Sequence, residues 1–266
     1  MKLTALRAAA VAAVLAFHPA LASETACPGS FVGGQAPDVT NPKVAAKTVP
    51  LCFREFSVLH SGVSRTPLWS AERLTRVRIE SARGQERVNL FHEEGRLPPG
   101  DRSTLEDFKR SGWDRGHLSP SADFPDPESQ EESFSLANMV PQAPANNRGV
   151  WERIERAVRE LTLAEGEVYV VTGPVFQGAS LQRLNGRVLI PTQMYKAVYV
   201  PGKRAAGVYV TENAPGEEWQ AVSVSKLREL IGLDVFPALP EAVKERTMEL
   251  PEPDAGGKQR RRRTSS

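Results

Sequence analysis

The sequence has few of the residues that build metal clusters and reactive-thiol sites. Its 266 residues include two cysteines and four histidines. The cysteines, Cys27 and Cys52, are not surrounded by a cluster of further Cys or His residues, whereas a structural zinc site usually needs four such ligands at close spacing. This shortage argues against a zinc site and against a catalytic cysteine.

Long apolar runs are absent beyond the N-terminus. There, Lys2 and Arg7 precede an apolar run from Ala8 to Phe17, and Ala20-Leu21-Ala22 offers a small-residue cleavage site. This pattern predicts a secretory signal peptide at residues 1–22. The alternative, a membrane anchor, needs about 20 apolar residues to span a bilayer. We therefore expect an exported protein, periplasmic or secreted, that has no membrane segment.

In an oxidising compartment, two cysteines near the start of the mature chain are expected to pair. We predict a disulfide between Cys27 and Cys52 that ties down an irregular N-terminal arm at residues 23–50, which is rich in Gly, Pro, Ala and Thr. The alternative is two unpaired thiols.

A large excess of one charge is also missing. The chain has 34 basic and 32 acidic side chains. Without the predicted signal peptide and the tail at 251–266, 27 basic and 30 acidic side chains remain. The folded body is not a polycation, so binding to an acidic polymer would require a local basic site. The tail, which contains Lys258 and four arginines at 260–263, is predicted to be disordered.

The pattern of apolar residues predicts strands and helices that do not alternate regularly. The strongest strand is predicted at 167–172, ending at Gly173-Pro174. The strongest helix is predicted at 150–161, with an apolar face formed by Val150, Ile154, Ala157, Val158 and Leu161.

Weaker patterns predict strands at 53–59, 68–74, 193–200, 206–210 and 218–224. Residues 81–112 look like a surface excursion with a short helix near Ser103, and a second short helix is expected at 225–231 with Ser225 as its cap. This order favours an α+β fold with a mainly antiparallel central sheet and flanking helices. Residues 51–250 are predicted to form the functional domain.

The residues most suited to catalysis lie in the segment Trp113-Asp114-Arg115-Gly116-His117-Leu118-Ser119-Pro120. An imidazole can take a proton from water if its second nitrogen is held in one tautomer, and Asp114 or nearby carbonyls could hold it. Arg115 suits phosphate or carboxylate oxygens, and Gly116 permits a close backbone approach. The alternative, a salt-bridged turn, stays open on this segment alone.

A second polar segment begins some thirty residues later. Asn147 is expected near the start of the predicted helix, and Glu155 follows it by eight positions, so both can face one cavity. An amide oxygen with several waters suits a hard cation such as Mg²⁺, with Glu155 acting through water. Taken singly, helix capping by Asn147 and a solvated Glu155 are the ordinary alternatives.

Together the two segments resemble the DNA/RNA non-specific endonucleases, the ββα-metal or His-Me finger nucleases. The resemblance covers roughly residues 50–240, and the linking stretch Leu136-Ala137-Asn138-Met139-Val140-Pro141-Gln142 is similar to the family's Asn-x-x-Pro-Gln pattern. Two linked motifs in order make the resemblance specific. It implies a ββα-metal active-site motif attached to the antiparallel sheet.

The resemblance also implies a role for each matching residue. His117 corresponds to the general base, and Asn147 to the single protein ligand of Mg²⁺, for which Mn²⁺ could substitute. Glu155 corresponds to the acid that holds metal-bound water, and Arg115 to the arginine beside the base. Arg87 is the candidate for an upstream arginine, with Arg83 and Arg96 as alternatives. Asp114 is expected to orient the site.

These roles predict an exported, metal-dependent endonuclease that cuts DNA or RNA with little sequence preference. Its contacts would be to the phosphate backbone rather than to base edges, and a homodimer is compatible with the sequence. Two alternatives remain open: a catalytically inactive nucleic-acid-binding protein of the same fold, and a phosphodiesterase for small molecules.

Overall fold

The computed structural model describes residues 27–254, so the predicted signal peptide and residues 255–266 of the predicted tail lie outside the described residues. The strands are β1 Asp38–Val39, β2 Thr48–Cys52, β3 Phe56–Ser61, β4 Thr66–Thr75, β5 Asp114–His117, β6 Met139–Gln142, β7 Glu167–Val175, β8 Arg183–Leu184, β9 Val188–Leu189, β10 Gln193–Val200, β11 Ala205–Glu212, β12 Gln220–Val222 and β13 Leu233–Asp234. The α-helices are α1 Arg76–Ala82, α2 Leu105–Phe108, α3 Pro127–Ser133, α4 Pro144–Asn147, α5 Val150–Glu165, α6 Val224–Ile231 and α7 Glu241–Lys244.

A seven-stranded sheet forms the centre of the fold, in the order β12-β11-β10-β7-β4-β3-β2. Every neighbouring pair in it is antiparallel. Strands β5 and β6 form a separate two-stranded antiparallel sheet. The predicted α+β fold with a mainly antiparallel central sheet is therefore confirmed.

Each face of the central sheet buries its own apolar cluster. Side chains alternate between the faces of a strand, so Val168 and Val170 pack with α5 while Val171 packs on the opposite face against α6. Helix α5 turns the five apolar residues predicted at 150–161 into the core. Burying an apolar side chain of this size contributes roughly 1.5–3 kcal/mol, which fixes the orientation of α5 on the sheet.

Several local predictions were wrong. Strand β7 continues through Gly173 and Pro174 to Val175. Its pairing with β4 ends at Thr172, while its pairing with β10 continues to Val175. Beyond Thr172 the strand has no partner on the β4 side, so a proline, which lacks an N–H, is tolerated there. Helix α6 is capped by Ser223, which accepts a hydrogen bond from the backbone of Lys226, rather than by Ser225.

Asn147 lies near the start of the predicted helix, as expected, but it belongs to a separate helical turn. It is the last residue of α4, and the chain breaks at Arg148 and Gly149 before α5 begins at Val150. Gly149 has φ −113° and ψ −115°, which is not helical, and an added Cβ there would collide with the carbonyl oxygen of Ala145. Because of this break, the position of the Asn147 side chain does not follow the helical periodicity of α5.

The ends of the described chain are more ordered than predicted. The N-terminal arm that was predicted to be irregular contains the short strand β1 at Asp38–Val39, and Thr48–Cys52 forms the edge strand β2. A domain that begins at residue 51 would divide this strand, so the domain limits stay a prediction. At the other end, the Tyr209 hydroxyl donates a 2.7 Å hydrogen bond to the carbonyl of Pro251, which holds the start of the predicted tail against the body.

The predicted disulfide joins Cys27 and Cys52. It connects the first described residue to the end of β2. Within residues 27–254, no helix has both the length and the apolar character that crossing a bilayer requires.

Candidate active site

The hairpin of β5 and β6 carries the candidate base. His117 lies opposite Met139, and Gly116 lies opposite Val140. The side chain of Gln142 occupies the space beside Gly116, where an added Cβ would lie 2.6 Å from the Cβ of Gln142. The close backbone approach predicted at Gly116 is therefore present, and no larger residue fits without moving Gln142.

All six predicted site residues line one groove of about 1220 Å³. The groove runs between the hairpin, the start of α5 and the loop before α2. The six are Arg87, Asp114, Arg115, His117, Asn147 and Glu155. The fold therefore brings together groups that are as many as 68 positions apart in the chain.

His117 is buried on its inner side. Its ring packs edge-on against Phe134, with 4.9 Å between ring centroids, and lies 5.8 Å from Phe91. Nε2 is enclosed and has no hydrogen-bond partner within residues 27–254. Burial, together with the nearby guanidinium groups of Arg87 and Arg115, lowers the pKa of His117 to about 3. The imidazole is therefore neutral at neutral pH.

Asp114 holds Asn147, not His117. The Asn147 amide donates from Nδ2 to Oδ2 of Asp114 at 2.9 Å, and Arg148 donates from Nε and NH2 to the two carboxylate oxygens at 2.8 and 2.6 Å. The expectation that Asp114 fixes the imidazole tautomer was thus wrong. Its contacts instead orient the amide, which agrees with the broader expectation that Asp114 orients the site.

Glu155 lies across the groove from the hairpin, in a half-buried position on α5. Burial raises the pKa of its carboxyl group to about 7, which is above the ordinary value of 4.5. The cations Lys196 and Arg159 oppose this rise, and the neighbouring acids Asp123 and Glu152 reinforce it. Its charge therefore depends on what else occupies the groove.

The arginines are distributed unevenly. Arg87 lines the groove, and its guanidinium lies over Phe134, 5.4 Å from the ring centroid. Of the two alternatives, Arg96 is paired with Glu94 at 2.8 Å, and Arg83 is paired with Glu160 at 3.3 Å; neither lines this groove. The guanidinium of Arg115 stacks over Phe91 at 4.0 Å, which holds it beside the imidazole.

Sequence reasoning missed a polar row on the sheet beneath the hairpin. Ser70, Thr172 and Lys196 lie opposite one another on β4, β7 and β10. Lys196 is 1% exposed, and its ammonium donates to Oγ1 of Thr172 at 2.6 Å and to the carbonyl of Leu118 at 3.2 Å. The signal in the sequence was a lysine at an apolar position of a predicted strand. A lysine is rarely buried unless its ammonium group has partners, so this position indicated a buried polar network.

The two residues after His117 are held by side chains instead of by a strand. Asn138 accepts from the backbone of Ser119 at 3.1 Å and donates to the carbonyl of Ser119 at 2.8 Å. The Ser119 hydroxyl lies 2.8 Å from that of Ser70, and Lys196 holds the preceding carbonyl. The N–H of Leu118 donates to the carbonyl of Asn138 at 3.0 Å. Every backbone polar group of Leu118 and Ser119 is therefore paired, and the strand that carries the imidazole is anchored just beyond it.

Two further histidines within residues 27–254 lie away from the reacting groups. His60 is buried, and its Nε2 lies 2.9 Å from the carbonyl of Asp101. His92 is half-buried with Nδ1 2.9 Å from the carbonyl of Leu90. Neither lines the groove. Trp151 is fully buried, as expected for a core residue.

The groove can accommodate a hard divalent cation. Because Nδ2 of Asn147 is committed to Asp114, the amide oxygen is free of partners within residues 27–254, and Glu155 lines the same groove. Among these residues no three His, Cys, Asp or Glu side chains converge as a metal cluster. Mg²⁺ commonly keeps several waters and uses one or two protein oxygens, so the oxygens of Asn147 and Glu155 fit such an ion.

The hairpin, the helix and the groove between them define a site of the ββα-metal class. Comparisons with known proteins agree. A family model described as DNA/RNA non-specific endonuclease matches residues 34–242. The chain belongs to the DNA/RNA non-specific endonuclease family.

Individual relatives show how far the similarity extends. The nuclease of Nostoc sp. is 31% identical over 218 residues, which cover 76% of this chain and 78% of that protein. The mitochondrial nuclease EXOG of Danio rerio is 34% identical over 197 residues, which cover 66% of this chain but only 57% of that protein. A chain in the crystal structure of the EndoG/EndoGI complex matches with a TM-score of 0.64 and 25% identity, covering 71% of this chain and 87% of that chain.

Proposed function

We propose that this protein is a metal-dependent endonuclease that hydrolyses the phosphodiester bonds of DNA or RNA with little sequence preference. One observation carries the proposal. A neutral imidazole, two arginines and a pair of oxygen ligands converge in a single groove. The family to which the chain belongs supports the same reaction type.

His117 acts as the general base in this proposal. Because Nε2 is enclosed, water in the groove can exchange a proton only at Nδ1. A pKa near 3 leaves the imidazole unprotonated but weakly basic. A phosphate anion beside Arg87 and Arg115 would offset their charges and raise the pKa of His117, which brings the base closer to the working pH when substrate is bound.

The arginines and the cation ligands stabilise the negative charge of the transition state. Arg115 and Arg87 lie on the imidazole side of the groove, and their guanidinium groups can donate to the nonbridging phosphate oxygens. A bound Mg²⁺, or Mn²⁺ in its place, would supply positive charge at the phosphate and the leaving oxygen. Asn147 would hold this ion directly, and Glu155 would hold water beside it.

A plasmid-nicking assay with and without EDTA tests the proposal. Wild-type protein should convert supercoiled plasmid to nicked and linear forms, and EDTA should abolish the conversion. His117→Ala should lower the rate by about 10²- to 10⁴-fold, the usual contribution of a general base. His92→Ala is the matched control, because His92 lies outside the groove. Near-normal cleavage by His117→Ala would refute the role of the imidazole.

We also propose that the protein is exported. The predicted signal peptide at residues 1–22 and the disulfide between Cys27 and Cys52 support this location. Expression of the full chain in a bacterium followed by fractionation should place the mature protein outside the cytoplasm, with Ser23 as its first residue. A cytoplasmic chain that retains Met1 would contradict export.

A further inference from the structure

The groove has two walls of different composition. On one side are charged and polar groups, here called the polar wall: Asn147, Arg148, Glu152, Glu155 and Arg159. On the other side are apolar and aromatic groups, here called the aromatic wall: Phe91, Leu105, Phe108 and Trp113. The proposed reaction uses the polar wall, the hairpin and Phe91, over which Arg115 stacks. Leu105, Phe108 and Trp113 have no role in it.

The aromatic wall is built rigidly. A capping box joins Thr104 and Asp107 at the start of α2. Asp107 also pairs with Arg187 at 3.1 Å, and the amide of Asn185 donates to the carbonyl of Asp107 at 2.9 Å. The wall is therefore fastened to the loop between β8 and β9, far along the chain.

The conformation of the loop between α2 and the hairpin is fixed by hydrogen bonds. The hydroxyl of Ser111 donates to the carbonyl of Phe108 at 2.8 Å and accepts from the backbone of Trp113 at 3.1 Å. Arg110 has φ +52° and Gly112 has φ +81°. A left-handed arginine is disfavoured and is retained where the surroundings hold it, so the position of Trp113 is determined by the fold.

Trp113 combines an anchored part with an accessible part. It packs against the apolar cluster that contains Phe108 and Met139, yet it remains half-buried and lines the groove. Leu105 beside it is 39% exposed. An apolar surface thus lies open to water inside a charged groove, a feature that commonly marks a binding site.

Trp113 lies within reach of a nucleic-acid strand that is bound at the candidate base. Trp113 precedes His117 by four positions on one extended segment, which corresponds to about 13 Å at the rise of a β-strand. Residues at 113, 115 and 117 lie on the same side of that segment because side chains alternate. A strand whose phosphate lies at Arg115 and His117 would therefore pass Trp113.

Positive charge accompanies the aromatic surface. Lys109 and Arg110 line the same part of the groove. Stacking surfaces next to cations are how proteins hold unpaired nucleic acid, since an unpaired base offers its ring face and its backbone offers phosphates. In a duplex, both ring faces are already stacked.

We propose that the aromatic wall is a subsite for an unpaired base, with Trp113 as the stacking platform and Lys109 and Arg110 as contacts to the adjacent phosphates. The inference rests on the proposed nuclease function and adds the substrate class: the groove favours single-stranded or locally unpaired nucleic acid over a continuous duplex.

Binding of two fluorescent strands in EDTA, measured by anisotropy on the full mature chain, tests this subsite. One strand is a short oligothymidylate, and the other is an abasic strand of the same length, which keeps the phosphates but has no bases. Trp113→Ala should weaken binding of the oligothymidylate roughly 5- to 100-fold, the usual effect of removing one stacking partner. It should leave binding of the abasic strand unchanged.

Two further variants complete the design. Trp113→Phe keeps an aromatic ring and should retain most of the affinity for oligothymidylate. Trp219→Ala is the matched control, because Trp219 is also a half-buried tryptophan but lies outside the groove; it should not change binding of either strand.

The outcomes separate this subsite from the proposed reaction. Equal losses for both strands in Trp113→Ala, or no loss for either, would overturn the stacking subsite, as would equal affinity of the wild type for the two strands. Plasmid nicking by the wild type is measured separately. Nicking without base-dependent binding would remove only the subsite, whereas absence of nicking would remove the proposed function.

Discussion

The aromatic wall and the polar wall face the same groove but are stabilised by different forces. The aromatic wall rests mainly on an apolar cluster and on hydrogen bonds between the Ser111 hydroxyl and the backbone, with one ion pair, Asp107 with Arg187, at its base. The polar wall depends on paired charges, such as Asp114 with Arg148 at 2.6 Å and Arg159 with Asp123 at 3.0 Å. In the proposals above, the aromatic wall serves recognition and the polar wall serves the reaction.

Apolar packing and paired charges respond differently to pH and to mutation. Apolar packing is nondirectional and changes little with pH. Paired charges that are withdrawn from water are directional, and removing one partner leaves the other uncompensated. Changes of pH, charge and ionic strength should therefore act on the two walls to different extents.

The largest expected effect concerns the imidazole and pH. His117 has a pKa of 6.5 when unfolded and about 3 when folded. As the pH falls below 6.5, the unfolded chain binds a proton that the folded chain does not bind. The stability contributed by His117 is therefore complete above pH 6.5 and is lost as the pH falls towards 3, by roughly 5 kcal/mol in total.

Unfolding free energies in EDTA, measured across this range for the wild type and His117→Gln, test the effect. The wild type should lose more stability on acidification than the variant. Glu155 acts in the opposite sense, because its pKa is raised from 4.5 to about 7; its contribution is complete below pH 4.5 and is lost as the pH rises towards 7. Its effect is common to both proteins and cancels in their difference. Parallel pH profiles would contradict the burial of a neutral imidazole.

The next largest effect concerns the buried charges beneath the hairpin. Lys196→Met should lower the free energy of unfolding by about 3–5 kcal/mol, the usual cost of removing one partner from a buried charged network. Leu118 would lose the partner of its carbonyl, and buried Glu72 would lose a nearby cation.

Lys109→Met on the aromatic side is the matched control in a chemical denaturation series. The Lys109 side chain is 55% exposed and pairs only with Glu106, so its loss should change the unfolding free energy by less than about 1 kcal/mol. If Lys196→Met and Lys109→Met lowered the unfolding free energy by similar amounts, the buried charges below the hairpin would contribute no more to stability than an exposed charge.

A smaller effect is expected from Asp114, which orients the amide of Asn147. Asp114→Ala should reduce cleavage about 10- to 100-fold at a fixed Mg²⁺ concentration, the usual result of losing a residue that orients a metal ligand. Raising the Mg²⁺ concentration should restore part of the rate. Cleavage assays over a Mg²⁺ titration measure both.

Arg148→Ala tests whether the effect of Asp114 comes from orienting the Asn147 amide or from its ion pair with Arg148. Arg148 also binds Asp114, but its side chain is 72% exposed, and its guanidinium donates to Asp114 and not to the amide of Asn147. We expect a reduction of only a few fold in this variant. If Asp114→Ala and Arg148→Ala behaved alike, the hydrogen bond to Asn147 would not be the decisive contact.

The smallest expected effect concerns Lys109 and Arg110, the cations beside the aromatic wall. Arg110→Ala should weaken binding of single strands modestly and reduce the slope of log affinity against log salt by about 0.7, the value for one phosphate contact on a single strand. Titrations in EDTA at several salt concentrations measure the slope, with Trp113→Ala as the comparison. An unchanged slope for Arg110→Ala would remove this phosphate contact.

Prediction from sequence succeeded where the determining forces are local or periodic. The apolar spacing of 150–161 identified the buried face of α5, and the expected strand at 193–200 coincides with β10. Boundaries were less certain, because pairing overrides local preference. Strand β7 passes through Gly173 and Pro174 because β10 pairs with both.

The six residues selected from the sequence line one groove, and their roles in the reaction stay predictions. The family resemblance pointed to these residues but not to their contacts. It did not indicate that Asp114 would hold Asn147, because residues 33 positions apart form that bond only after the hairpin packs beside α4. Lys196 and Trp113 went unrecognised for a related reason. Whether a lysine is buried or a tryptophan is exposed depends on what other segments cover it.

The sequence by itself determined the family, the class of fold and the chemical groups available for reaction, because these depend on residue types and their order. Only the tertiary structure decided which carboxylate orients the amide, how far burial lowers the basicity of His117, and which tryptophan lies open to the groove. These properties depend on distances and on exclusion of water, and both arise only when distant segments pack together.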